Sequence, residues 1–142
     1  MIRANSSPSR IRSLVAAMLV GGLAAGSVLA ADVKVTLSGA NEVPPVTTSA
    51  AGSGTITVAD DGAVSGSVSA TGVAGTAAHI HEGAAGSNGP VAIPLTKEGD
   101  TYKVPPGAKL NPAQMTAFKA GNLYVNVHST ANPNGEIRGQ LK

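Results

Sequence analysis

The 142-residue chain has no cysteine and no tryptophan, and its only aromatic rings are those of Phe118, Tyr102 and Tyr124. Without cysteine there is no disulfide, no thiol nucleophile and no thiolate metal ligand, so a metal site has to use nitrogen and oxygen donors or methionine sulfur. With so few rings, stacking platforms for sugars or single-stranded nucleic acid are scarce. Basic residues are also few, and they are unevenly spread. Arg3, Arg10 and Arg12 fall in the first thirty residues, which hold no acidic residue. From Ala31 onward seven Lys and Arg face eight Asp and Glu, a formal charge of −1. No basic cluster remains there to follow a phosphate backbone, which argues against nucleic acid as a partner. Nor does any Gly-x-Ser-x-Gly elbow beside a helix point to a hydrolytic triad.

The apolar run from Leu14 to Leu29 follows the three arginines and ends in Val28-Leu29-Ala30. It is shorter than the roughly 20 residues of a spanning helix and carries small residues where a signal peptidase cuts. Residues 1–30 are therefore expected to be a secretory signal peptide. The remaining 31–142 form one domain, periplasmic or secreted and not inserted in a membrane after signal removal.

From Val33 onward Val, Ile, Leu and Thr alternate with small polar residues, and Gly, Pro, Asn and Asp interrupt at short intervals. Period-two alternation with frequent turn residues is the pattern of an all-β domain. Strands are expected near 33–39, 52–59, 63–70, 76–81, 90–95, 101–104, 122–128 and 135–141, packed as an antiparallel sandwich. Asp60-Asp61-Gly62 predicts a hairpin between the second and third strands. Asn111-Pro112-Ala113-Gln114 carries an N-cap, a proline at the first helical position and a Gln at the third, and Gly121 follows. That pattern predicts one short helix over about 112–120, seated by Leu110, Met115 and Phe118. Residues 122–141 read as a second hairpin, with Ile137 and Leu141 facing the core alongside Val125 and Val127. Glu42-Val43-Pro44-Pro45 reads first as a rigid turn closing the first strand, with a loop near the histidine site as the alternative, and the loop from Gly86 to Pro90 reads as a Gly-rich β-turn.

The chain has three histidines, His79, His81 and His128. Alternation on a strand places His79 and His81 on one face and Ile80 on the other. In Leu123-Tyr-Val-Asn-Val-His128 the polar Tyr124, Asn126 and His128 share a face opposite Leu123, Val125 and Val127. Three imidazoles on polar strand faces form a His₃ ligand set, which favours copper by affinity order, with zinc as the alternative. The fourth position falls to water, ahead of Glu82, Tyr124 or Met115. Asn126, Glu136 and Arg138 are expected beside His128, where they would orient the ligands, although Glu136 and Arg138 also read as an ordinary surface pair. No catalytic residue is assigned.

Four ordered motifs resemble the CHRD (chordin-type) domain: Leu-Ser-Gly-Ala-Asn-Glu-Val-Pro-Pro-Val at 37–46, Ala-Ala-His-Ile-His-Glu-Gly at 77–83, Asn-Gly-Pro-Val at 88–91, and Leu-Tyr-Val-Asn-Val-His-Ser with Asn-Gly-Glu-Ile-Arg-Gly-Gln-Leu at 134–141. The resemblance implies an extracytoplasmic, immunoglobulin-like Greek-key β-sandwich. A second similarity is to the copper site of copper/zinc superoxide dismutase. It implies that His79, His81 and His128 match three copper ligands and that Arg138 matches the arginine guiding the anion. The bridging histidine, the zinc ligands and the cysteine pair have no counterpart here. The reading is an exported protein that buffers, carries or detoxifies copper. A metal-free structural or adhesion module is the alternative, and a dismutase-like enzyme the more distant one. A protein partner that exchanges the metal and a homodimer through an edge strand both fit this reading.

Overall fold

The structure is a computed structural model that describes residues 29–142, so the expected signal peptide lies outside the described residues, apart from its last two positions. Nine strands and one helix follow in order: β1 (Ala30–Ser38), β2 (Ala51–Ala59), β3 (Val64–Thr71), β4 (Gly75–Glu82), β5 (Val91–Pro94), β6 (Thr96–Glu98), β7 (Thr101–Lys103), α1 (Pro112–Lys119), β8 (Leu123–Ser129) and β9 (Ile137–Leu141). A 3₁₀ turn, Gly39–Asn41, follows β1. All strand pairs are antiparallel and form one sheet in the order β5-β4-β8-β9-β1-β2-β3-β7-β6. The end strands β5 and β6 are separated in the chain by Leu95 alone, whose N–H donates to Ala78 O in β4. The sheet thus curls until its ends almost meet, a nearly closed, sandwich-like all-β fold.

The local causes are those expected. At the β2–β3 hairpin Ala59 N–H donates to Ala63 O, and Gly62 has a φ of 89°, which a side chain would oppose. The helix opens on a reciprocal box, with Asn111 Oδ1 accepting from Gln114 N–H while Gln114 Oε1 accepts from Asn111 N–H. Met115 and Phe118 rest against the core, and Leu110 is buried in it. The strand Thr96–Glu98 was not expected. All three of its residues are exposed, so it carries no apolar alternation to read.

The core is aliphatic and comes from alternate positions: Val33, Val35 and Leu37 in β1, Ile56 and Val58 in β2, Ala78 and Ile80 in β4, Val125 and Val127 in β8, and Ile137 and Leu141 in β9. Strand β1 keeps the one-sided alternation of a sheet with one wet face. Strands β8 and β9 do not, because they are buried on both faces. Their outer face is covered by the segments around 39–46 and 83–90, which Asn88 ties together by donating its Nδ2 hydrogen to Val43 O at 2.9 Å. The polar face expected to be a surface is therefore a buried polar layer. Each side chain in it has to find partners.

Candidate metal centre

The three histidines stand on adjacent strands. His79 pairs in register with Asn126, and His128 pairs with Ala77, so His79 and His128 are diagonal neighbours on one face. Ile80 and Val127 point into the core, 1% and 0% exposed, as the parity argument requires. One nitrogen from each imidazole lies within 4.8 Å of the others. His81 is buried, whereas His79 and His128 are partly open.

Backbone carbonyls orient two of the rings. His81 Nδ1 is 2.9 Å from Gly89 O, and His128 Nδ1 is 2.8 Å from Pro133 O. A carbonyl only accepts, so each Nδ1 carries the proton and each Nε2 keeps its lone pair. His81 Nε2 is buried and has no hydrogen-bond partner. His128 Nε2 faces His79 Nδ1 at 2.9 Å. That separation suits a hydrogen bond between the two rings. The donor set therefore fits a metal, with the Nε2 atoms of His81 and His128 and one nitrogen of His79 as ligands. Burial, with the neighbouring imidazoles adding to it, holds His79 below the ordinary imidazole range. Burial likewise lowers His81, against an opposing contribution from its bond to Gly89. Both favour the neutral form that binds metals.

A stack supports His81 from behind. Its ring lies parallel to Tyr124 at 4.9 Å and 2°, and the Arg138 guanidinium sits over the Tyr124 ring, 3.4 Å from its centroid. Arg138 Nη2 donates to Ala84 O and Ser87 O at 3.1 and 2.6 Å, and Nη1 donates to Asn88 Oδ1 at 3.2 Å. Arg138 thus clamps the segment that carries Gly89. Gly89 N–H in turn donates to Tyr124 Oη at 3.1 Å. Glycine is needed at 89, since a Cβ there would lie 1.6 Å from Glu82 O. Without that close approach, Gly89 O would not reach His81.

The expected supporting residues divide. Asn126, 3% exposed, lies in the buried layer next to His81. Arg138 is also there, but it is 1% exposed and not paired with Glu136. Three of its N–H groups hold the loop and its face covers Tyr124, so its contacts serve the support of His81. Glu136 is buried as well, and it turns away from His128 and Arg138 to accept from Thr48 Oγ1 at 2.8 Å. Hydrogen bonds from Ser129, then Thr48, hold its carboxyl below the usual range. Of the alternative fourth ligands, Tyr124 Oη is engaged by Gly89 and Met115 packs on the core. Among the described residues no carboxylate joins the three histidines.

Glu42 is the residue that sequence reasoning left between a turn and a loop near the site. It closes the turn after β1, with its N–H donating to Gly39 O, and it is also 5% exposed and lies against this buried layer. A Cβ at Gly135, whose φ is 127°, would fall 2.5 Å from Glu42 Oε1 and 2.7 Å from Asn126 Nδ2. Only glycine lets the two side chains close over that backbone. Burial pushes the Glu42 carboxyl up to about 7 against the opposing pull of Arg138. The sequence signal that could have found it is a lone acidic residue between small and apolar ones, next to two prolines.

A family model described as the CHRD domain matches residues 33–141. No curated protein and no solved structure matches the chain. The match spans nearly the whole described chain, which therefore belongs to the CHRD domain family.

Proposed function

We propose that this CHRD-domain protein is exported and binds a copper ion through His79, His81 and His128, buffering or carrying it in the periplasm or outside the cell. The observation that carries the reading is the orientation of the imidazoles. Two have Nδ1 committed to backbone carbonyls, and one of these keeps a buried Nε2 with no partner in a cluster only 4.8 Å across. Leaving a buried nitrogen unpaired costs about 1–3 kcal/mol unless a ligand uses its lone pair. Copper is favoured by the affinity order of divalent ions for imidazole ligands, and zinc is the alternative ion. The open side at His79 and His128 leaves room for water as a further ligand and for exchange with a partner protein. The leader-like first thirty residues support export, and no helix among the described residues is long and apolar enough to cross a membrane.

Copper(II) titrated into residues 31–142 should bind at one ion per chain. His79→Ala, His81→Ala and His128→Ala should each abolish or greatly weaken that binding, and unchanged binding in all three would overturn the reading. A metal-free structural module is the second reading. It is favoured by the direct His79–His128 hydrogen bond, which satisfies that pair without an ion. Under it, the three variants keep their partner contacts and copper leaves the melting temperature unchanged. Arg138, buried and with three of its donors holding the 83–90 loop, gives a dismutase reading no support.

A further inference from the structure

Among the described residues, the buried side-chain polar atoms without a hydrogen-bond partner are Glu42 Oε1, Asn126 Oδ1 and His81 Nε2. They are not scattered. Asn126 lies between the other two residues, with Nδ2 on the Glu42 side and its amide beside the His81 ring. A row of unsatisfied polar atoms running from a carboxyl to a ligand nitrogen is stable only if something charged or polar completes it. We infer that Glu42 is the charge-compensating group of the metal centre: when an ion binds His81, Glu42 gives up its proton to solvent and its carboxylate, with Asn126 between, offsets one unit of the new buried charge. The inference rests on the metal-binding reading above and adds to it a specific residue and a proton stoichiometry.

The surroundings of Glu42 suit that role. Arg138 from β9 is the charged group that faces it, and His81 from β4 lies beyond Asn126. Glu136, beside Gly135, turns its carboxylate to Thr48, Ser129 and Asn132 instead. Glu42 borders two clefts of about 570 and 470 Å³, the first also lined by Lys142, so its proton has a short way out although the side chain is buried. Burial keeps the carboxyl protonated to near neutrality, with Arg138 opposing. A second positive charge arriving nearby favours the carboxylate, as any opposite charge does. The ion and the proton therefore compete, and losing the proton cuts the charge that copper(II) adds to the buried layer from +2 to +1.

The test is a proton count. Copper(II) is titrated calorimetrically into residues 31–142 in buffers of different ionisation enthalpy, for the natural chain, Glu42→Gln and the surface control Glu98→Gln. A group titrating at about 7 is roughly three-quarters protonated at pH 6.5, so the natural chain and Glu98→Gln should each release about three-quarters of a proton more per ion than Glu42→Gln. The excess should vanish by pH 8.5. There the carboxylate is already present, and Glu42→Gln should bind roughly 10- to 100-fold more weakly. Equal proton counts, with binding that still depends on the histidines, overturn the inference and leave the metal site standing. Binding unaffected by His81→Ala instead overturns the metal site itself. Should Glu42→Gln fail to fold, infrared difference spectra of the natural chain decide. A protonated buried carboxyl band should be present at pH 6.5 and disappear on adding copper, and a band that is absent or persists contradicts the assignment.

Discussion

His81 does more than supply one of three imidazoles, because its position is fixed from three directions. Gly89 O holds Nδ1, Tyr124 covers one face of the ring, and Asn126 lies alongside. His81→Ala should therefore lower copper affinity by far more than the roughly 10- to 100-fold that losing an orienting residue costs, and Tyr124→Phe should fall within that smaller range. Competition against a chelator of known affinity checks both. Gly135→Ala should act on the same layer without touching a ligand. Its φ of 127° strains any side chain, and the added methyl would meet Glu42 and Asn126. Reduced stability and weaker copper binding together are expected.

Glu42 also sets a pH dependence of stability whose sign can be worked out. Its carboxyl titrates at about 7 in the folded chain and at 4.5 in its ordinary state, so the folded state binds the extra proton between those values. Stability from this group is full below pH 4.5 and is lost as pH rises through 7. Gln mimics the neutral acid at all pH. Metal-free Glu42→Gln should thus match the natural chain near pH 4.5 and exceed it above pH 7, by on the order of 3 kcal/mol, in urea unfolding followed by circular dichroism.

At the scale of elements, β8 and β9 explain both what the sequence announced and what it hid. Period-two alternation in Leu123–Ser129 and Ile137–Leu141 was enough to assign the strands and to put the histidines opposite Val125, Val127 and Ile80. Alternation tells one face from the other but not which face is wet. Arg138 and Asn126 read as surface residues, yet the 39–46 and 83–90 segments cover them, through contacts such as Arg138 to Ser87 that join residues 51 positions apart. Glu42 was read first as a turn residue for the same reason, since nothing local marks its approach to Asn126. Helix α1 was legible because its box, proline and closing glycine are all local.

These elements respond separately to mutation. Arg138→Lys cannot reproduce the fork that holds Ala84 O, Ser87 O and Asn88, and it should destabilise the chain by on the order of 3 kcal/mol while releasing Gly89 from His81. Asn111→Ala removes the helix cap and should cost about 1 kcal/mol with copper affinity unchanged. Unfolding midpoints with parallel copper titrations separate the two.

For the whole molecule, the nearly closed sheet acts as a rigid frame. It brings residues from β4 and β8 to one side of an aliphatic core and holds the three histidines close together. An ion that binds the folded chain alone should, at a hundredfold excess over its dissociation constant, stabilise it by about 2.7 kcal/mol. His79 and His81 are held below the ordinary imidazole range, so protons displace the ion only at correspondingly lower pH. The most direct test of the metal centre is anomalous diffraction at the copper edge from crystals of residues 31–142 grown with one equivalent of copper(II). The account predicts a single strong peak bonded at roughly 2.0–2.1 Å to His81 Nε2, His128 Nε2 and a nitrogen of His79. A copper peak elsewhere on the surface, with His79 and His128 still hydrogen-bonded to each other, would contradict it.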